Sequence, residues 1–280
     1  METVRAARLR RDVVVVDGAD ASDHLQSQLT QDVAALDVGE SAWSFLLDPK
    51  ATIIALLRLT RSSETGFLLD TDPGYGDAIR GAIDGFLFRM DVSFASHTWD
   101  HLAVRGPGSS SVHIDAPIRA PVQWGDVGGV DFIGDDLPDP DGVPMVSDDS
   151  YDSLRIWAGW PRMGKEITGK TTPAMTGIVD RAVSFTKGCY PGQEFVARVH
   201  YRDAAPPWRI VHVEYHPCAE VVDGMELILD GEPVGSITSA ASCQPFALAR
   251  LKRAVELPAA VTVGGCPATV EAVPDRLATT

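Results

Sequence analysis

From Pro206 onward the chain offers only short apolar runs broken by turn signals, and this most narrows what it can fold into. Arg209 to Tyr215, Glu226 to Leu229, Val234 to Thr238, Phe246 to Leu251, Val261 to Val263 and Ala268 to Ala272 all have strand composition. Asp230-Gly231 and Gly264-Gly265 mark turns, and no helical period intervenes. Several short strands at this spacing imply a small barrel or sandwich. Pro206-Pro207 is a natural boundary, so we expect one region over 1–205 and a second over 206–280.

The first region mixes periods. Val13 to Val16 reads as a short buried strand, then Asp20 or Ser22 offers an N-cap and Leu25, Leu29 and Val33 recur at helical spacing. Ser41 to Leu47 and Thr52 to Thr60 form a hairpin around Asp48-Pro49-Lys50, and Gly66 to Leu69 adds a third strand. Asp72-Pro73 is a cap followed by proline at the first helical position. Tyr75, Ile79, Ile83 and Leu87 then predict a helix over 73–88. Asp91 to Ala95, Leu102 to Val104, Val122 to Trp124 and Val130 to Ile133 return to strand, so the class is α+β with antiparallel sheets. The acid-rich run from Asp135 to Gly142 is a solvated loop.

Charge excludes some partners. The chain carries 39 acidic against 24 basic residues, a formal −15, and a field of that sign opposes the phosphate contacts on which nucleic-acid binding rests. Direct DNA binding is not expected. No apolar run approaches the ~20 residues that span a bilayer, and the first residues carry no signal-peptide core, so a cytoplasmic, membrane-free protein is expected. Arg155, Arg162, Lys165, Lys170, Arg181, Lys187, Arg198 and Arg202 make 155–202 richer in positive charge, which suits a small anionic ligand. Cysteines stand at 189, 218, 243 and 266 without a C-x-x-C pair. They are too sparse for a disulfide framework, and a reduced compartment fits. Neither they nor His97-x-x-x-His101 and His212-x-x-x-His216-x-Cys218 have established metal-ligand spacing, so no metal is expected.

One segment gathers chemistry. Ala182 to Thr186 has strand composition, so Lys187 and Cys189 leave a strand on the same face, with Gly188 between them. An ammonium there favours thiolate over thiol. Pro191-Gly192 is a turn, and a helix starting near Gln193 places Glu194 and Arg198 four apart and a positive dipole end near the sulfur. A reactive Cys189 supported by Lys187 is the candidate centre.

The same residues carry a resemblance. Lys187-Gly188-Cys189-Tyr190-x-Gly192-Gln193-Glu194 matches the K-G-C-(F/Y/W/L)-x-G-Q-E signature of the YgfZ family, folate-binding proteins similar in fold to the T-protein (aminomethyltransferase) of glycine cleavage. His24 to Asp32 resembles the family's F-L-Q-x-Q-L-T-N-D helix. Leu154-Arg155-Ile156-x-Ala158-Gly159-x-Pro161, with Gly164 and Glu166-Ile167, resembles its R-x-E-A-G-x-P…G-x-E-I stretch, and Val234 to Ala240 its V-G-x-V-T-S strand. The resemblance implies a T-protein-like ring of two interleaved ferredoxin-like α+β subdomains, a central folate channel beside Cys189, and a small C-terminal antiparallel β-barrel. It implies tetrahydrofolate or a related reduced folate as cofactor, with Arg155, Trp157, Tyr190, Gln193, Glu194 and Arg198 as expected contacts. It also implies a role in iron–sulfur cluster assembly or repair, with iron–sulfur client or assembly proteins as partners and tRNA modification supported indirectly.

Two departures bear on activity. Transferase members carry adjacent aspartates after a G-G-I-x turn, and here Ala55 and Leu56 fill those positions. Without a carboxylate, aminomethyl transfer lacks its general acid–base or charge-stabilising group. Trp157 stands where the family often has the glutamate that holds the pterin, and an indole stacks on such a ring but cannot accept its N–H donors. A folate-dependent one-carbon transferase and a scaffold with a degenerate channel are the alternatives.

Overall fold

The computed structural model describes residues 3–85, 87, 89–124, 127–201, 206–218, 220–242 and 244–273. The first region contains β1 (Arg5–Asp17), α1 (Ala21–Gln28), β2 (Ser41–Leu47), β3 (Ile53–Arg61), β4 (Gly66–Thr71), α2 (Gly76–Asp84), β5 (Ser93–Arg105), β6 (Ile118–Trp124), β7 (Val127–Gly134), β8 (Met145–Val146), α3 (Asp148–Ala158), α4 (Val179–Ala182) and α5 (Gln193–Tyr201). The second contains β9 (Trp208–Tyr215), β10 (Glu226–Leu229), β11 (Glu232–Ala240), β12 (Phe246–Lys252), β13 (Ala259–Val263) and β14 (Cys266–Ala272).

The valine run of β1 is only part of a longer strand, paired with β5 from Arg5↔Arg105 to Asp17↔Ser93. Polar residues near its start, Arg8, Arg10 and Arg11, face a cavity, which is why the apolar pattern there is incomplete. The same reason joins the two expected pieces of β5, since Asp100 and His101 between them also face that cavity. The predicted helix over 73–88 is shorter than its apolar spacing. Gly74 takes φ +91°, and the Asp12 carboxylate accepts from the amides of Gly74 at 2.8 Å and Gly76 at 3.0 Å, so α2 starts only at Gly76. Leu87 lies beyond its end. Helix α1 likewise stops before Val33, although Leu25, Leu29 and Val33 share one core cluster.

These strands form one eight-stranded sheet in the order β2-β3-β4-β1-β5-β7-β6, with β8 added parallel to β1. The two halves expected from the resemblance are thus joined through the long β1–β5 pair. The sheet is curled. Strands β3 and β7 stand four places apart in it, about 19 Å if the sheet were flat, yet Arg58 of β3 reaches Asp131 of β7 at 2.9 Å.

The C-terminal region closes as the six-stranded antiparallel barrel β10-β11-β12-β9-β14-β13. Val211, Val213, Leu227, Leu251, Val263 and Val270 fill it. Pairing of β14 with β9, from Ala268↔Tyr215, brings together positions far apart in sequence. Cys218 and Cys266 are there joined as a disulfide, which corrects the expectation of unlinked cysteines: barrel closure, invisible in sequence spacing, places them side by side. Cys243 lies outside the described residues, as does Arg202. Among the described residues no helix is long and apolar enough to cross a membrane.

A buried acid ties the barrel to α3. Glu166 is fully buried and accepts from Thr238 at 2.6 Å, Ser239 at 2.7 Å, Arg155 at 3.0 Å and the Arg162 amide at 3.1 Å. Gly159, at φ +75° after α3, is needed because a Cβ would sit 2.1 Å from Val273. Removing Glu166 leaves the buried Arg155 guanidinium with only the partly exposed Asp152 as counter-charge, and two buried hydroxyls without this acceptor. Glu166→Leu should therefore lower unfolding free energy by about 3–5 kcal/mol, measured by urea denaturation.

Candidate functional site

Ala182 to Thr186 is not a strand. Its first residue ends α4, and the chain then docks on the loop after α1, where Ser184 donates to the Thr30 carbonyl at 2.9 Å and Thr30 Oγ1 donates to the Ala182 carbonyl at 2.6 Å. Isolated bonds to a loop replace a ladder, so strand composition here reflects packing. Cys189 follows in irregular chain as an exposed free thiol. The Lys187 ammonium donates to the main-chain carbonyls of Gln26 at 2.6 Å, Leu29 at 2.6 Å and Gln31 at 3.1 Å. Its three hydrogens are committed to the end of α1 rather than to sulfur. Lys187 is a staple for this loop, and burial pushes it down to about 8 against the pull of Asp32.

The rest of the segment is fixed in the same way. Tyr190 is buried in the core cluster with Phe45, Leu56 and Trp160, and burial pushes its hydroxyl up to about 12. Gly192 takes φ +79°, and a Cβ there would lie 2.8 Å from Ala51 Cα. Helix α5 begins at Gln193 as expected. Gln193 and Glu194 form its first turn, and Arg198 lies over the Phe195 ring at 5.4 Å.

A cavity of about 710 Å³ lies inside the curl of the sheet. Trp43, Trp124, Tyr151 and Trp160 line its walls, with Leu56 among them. Trp43 and Trp160 stand 4.7 Å apart, tilted. Its floor is a charge network. Arg58 donates to Asp70 at 2.9 Å and to Asp131 at 2.9 Å, and Arg11 to Asp70 and Asp72, each at 2.8 Å. Asp131 also faces Arg105 at 2.8 Å and His101 Nε2 at 2.9 Å. Burial alone would raise the Asp131 carboxyl, but Arg105, His101 and Arg58 hold it well below the usual carboxylate range. Burial lowers His101 against the pull of Asp131, helped by Arg11 and Arg58, so the ring is neutral near pH 7. At the mouth stand the partly exposed Arg8, Arg10, Arg162 and Lys165.

Of the residues expected at the site, only Arg155 lines this cavity. Its donors go to Asp152, the Trp160 carbonyl, Glu166 and Ser239, which uses the whole guanidinium in holding α3 to the barrel. Asp148, Tyr151, Asp152 and Arg155 make one face of α3 and point to the cavity. Trp157 is off that face and packs against the core cluster instead. Cys189, Lys187, Tyr190, Gln193, Glu194 and Arg198 lie outside the cavity lining. Sequence reasoning missed Arg8, Arg10, Arg11, Arg58, Trp43, Trp160, His101 and Asp131. The one readable signal was Arg8-Leu9-Arg10-Arg11, cations within a strand that is otherwise apolar. At the transferase aspartate positions, Ala55 is buried in the cluster on the other face of β3 and Leu56 faces the cavity, so no carboxylate enters there.

No known protein-family model matches the chain. A Haemophilus influenzae protein described as uncharacterized is 32% identical over 243 residues, covering 81% of each chain. The tRNA-modifying protein YgfZ of Colwellia psychrerythraea is 23% identical over 209 residues, 67% of this chain and 64% of that one. Its namesake in Serratia proteamaculans is 25% identical over 219 residues, 69% and 65% respectively. The chain thus spans somewhat under two thirds of these YgfZ relatives. The crystal structure of glycine cleavage system aminomethyltransferase T from Bartonella henselae matches with a TM-score of 0.80 at 21% identity, covering 96% of this chain and 86% of that one. At that identity the likeness is one of fold.

The lowered Lys187 predicts a pH dependence. Between about 8 and its ordinary 10.5 the unfolded chain holds a proton that the folded chain has released, so this group's contribution to stability rises with pH across that window. Lys187→Met removes the rise. Urea unfolding of both proteins across the window should show the wild type gaining on the variant as pH increases, and hydrogen exchange at 26–31 should quicken in the variant.

Proposed function

The chain belongs to the YgfZ-like family of proteins with the T-protein fold, and from that premise we propose that it binds a reduced folate and uses Cys189 to support iron–sulfur cluster assembly or repair. Support for tRNA modification is then indirect, through client enzymes, which suits a chain of formal charge −15.

The observation that carries this reading is the cavity. Flat aromatic walls at Trp43, Trp124, Tyr151 and Trp160 suit a pterin ring, and cations at the mouth suit a glutamate tail. The floor adds polar atoms, His101 Nε2 and Asp131 Oδ1, that are buried without a linear hydrogen bond. These residues fit the group: Trp43 and Trp160 would hold the ring, Arg10 and Arg162 the tail. Bound there, a reduced folate would carry a one-carbon unit. Leu56 supports a role other than aminomethyl transfer, because an isobutyl group neither moves a proton nor stabilises a developing cation. The exposed thiol of Cys189 is open to a partner protein and stands away from the cavity lining, so the chemistry of the cysteine and the binding of folate are separable.

Separability sets the test. Calorimetric titration with tetrahydrofolate should give heat and displacement by folinic acid in both wild type and Cys189→Ala. The variant should fail to restore an iron–sulfur enzyme in a deletion strain. Restoration equal to wild type would remove the cysteine from the function, and absence of heat would leave a scaffold with a degenerate channel. Measurable tetrahydrofolate-dependent aminomethyl transfer would instead favour the transferase.

A further inference from the structure

We infer that His101, held by Asp131 in the cavity floor, is the neutral acceptor that reads the N–H edge of a bound heteroaromatic ring. The inference rests on the folate reading for its ligand, but its geometry is independent of it. His101 Nε2 lies 2.9 Å from Asp131 Oδ1. The contact is bent for a hydrogen bond, yet two lone pairs at that distance repel, and a carboxylate has only lone pairs to offer. Nε2 therefore carries the proton. Nδ1 is left with a free lone pair, and it has no hydrogen-bond partner among the described residues. His101 lines the cavity, so this lone pair is the acceptor the ring presents to a ligand.

The charged neighbours keep that state. Asp131 of β7 faces Nε2, while Arg11 of β1 and Arg58 of β3 oppose a second proton on the ring. Tyr151 of α3 meets the imidazole edge-on at 6.1 Å. Other acceptors in the cavity are less available. Asp72, Asp131 and Asp152 are bound to arginines, Asp100 is bound to Arg8 and Arg10, and Asp148 and Asp149 are exposed at the start of α3. Trp157, at the position of the family's glutamate, is away from the cavity lining. A pterin presents an amino group and a ring N–H side by side, and a neutral imidazole nitrogen satisfies one of them.

Two measurements test this. Nitrogen-15 shifts of the ligand-free protein should show His101 as the Nε2–H tautomer at pH 7, and an Nδ1–H tautomer would overturn the inference whatever the ligand. Calorimetry with folinic acid should then show affinity falling about ten- to a hundredfold in His101→Phe and His101→Gln, the loss expected when a buried donor is left without a partner. His101→Asn, whose carbonyl oxygen takes the place of Nδ1, should bind within a few fold of wild type. His97→Phe, on the same strand but exposed and outside the cavity lining, should leave affinity unchanged. Wild-type affinity in His101→Phe and His101→Gln, or a comparable loss in His97→Phe, would overturn the assignment. If wild type itself gives no heat, the folate reading fails while the tautomer result still stands on its own.

Discussion

Arg58 spans the curled sheet, and most of the first region depends on its doing so. Its guanidinium holds Asp70 of β4 on one side and Asp131 of β7 on the other. Two strands that share no ladder are thus joined across the hollow of the sheet, and the hollow becomes a cavity with a fixed floor. Such a bridge is costly to desolvate, and apolar residues of similar volume often stabilise a fold as well or better. What they cannot do is leave a polar floor. The network of Arg11, Arg58 and Arg105 with Asp70, Asp72 and Asp131 keeps its charges mutually satisfied while presenting hydrogen-bonding groups to the space above.

That arrangement separates roles along the cavity. Buried charges at the floor are matched, so they set geometry and local protonation rather than net attraction. The half-exposed Arg8 and Arg10 at the mouth share Asp100, and Arg162 reaches Asp152 only at 3.5 Å. Those cations keep donors for an anionic ligand in a protein that is acidic overall. Arg8 is matched by Asp100 and Asp139 and Lys165 by Asp223, so the mouth offers cations for direct contact rather than a long-range positive field.

Elements whose physics is local were readable from sequence. The β2–β3 hairpin, β4, the start of α5 and the C-terminal strands follow from alternation, turn residues and helix signals within a few positions. Expectations went astray where tertiary contacts overrode the pattern. Gly74 and the Asp12 carboxylate shortened α2, and the loop after α1 turned the apparent strand over 182–186 into docked irregular chain. The site was harder still. Eight residues around Cys189 announced themselves by motif, whereas the cavity draws from β1, β2, β3, β5, β6, β7 and α3, and only sheet curvature brings these together. His101 illustrates the limit: its spacing from His97 showed only that the two lack a metal-ligand pattern, and could not tell that His97 is exposed beside Trp99 while His101 is buried against Asp131.

The thiol and the cavity are nevertheless mechanically related. The loop bearing Cys189 is pinned by Lys187 at the end of α1, by Tyr190 in the core and by Gly192 against the turn before β3. Tyr190 belongs to the same packed cluster as Leu56, Trp124 and Trp160, which line the cavity. Interiors packed to crystal density transmit displacement rather than absorb it. The cysteine loop and the aromatic wall of the cavity therefore lean on one shared cluster. The signature lysine is then best understood as what keeps the cysteine loop registered to that cluster, with the thiol held exposed on a fixed loop.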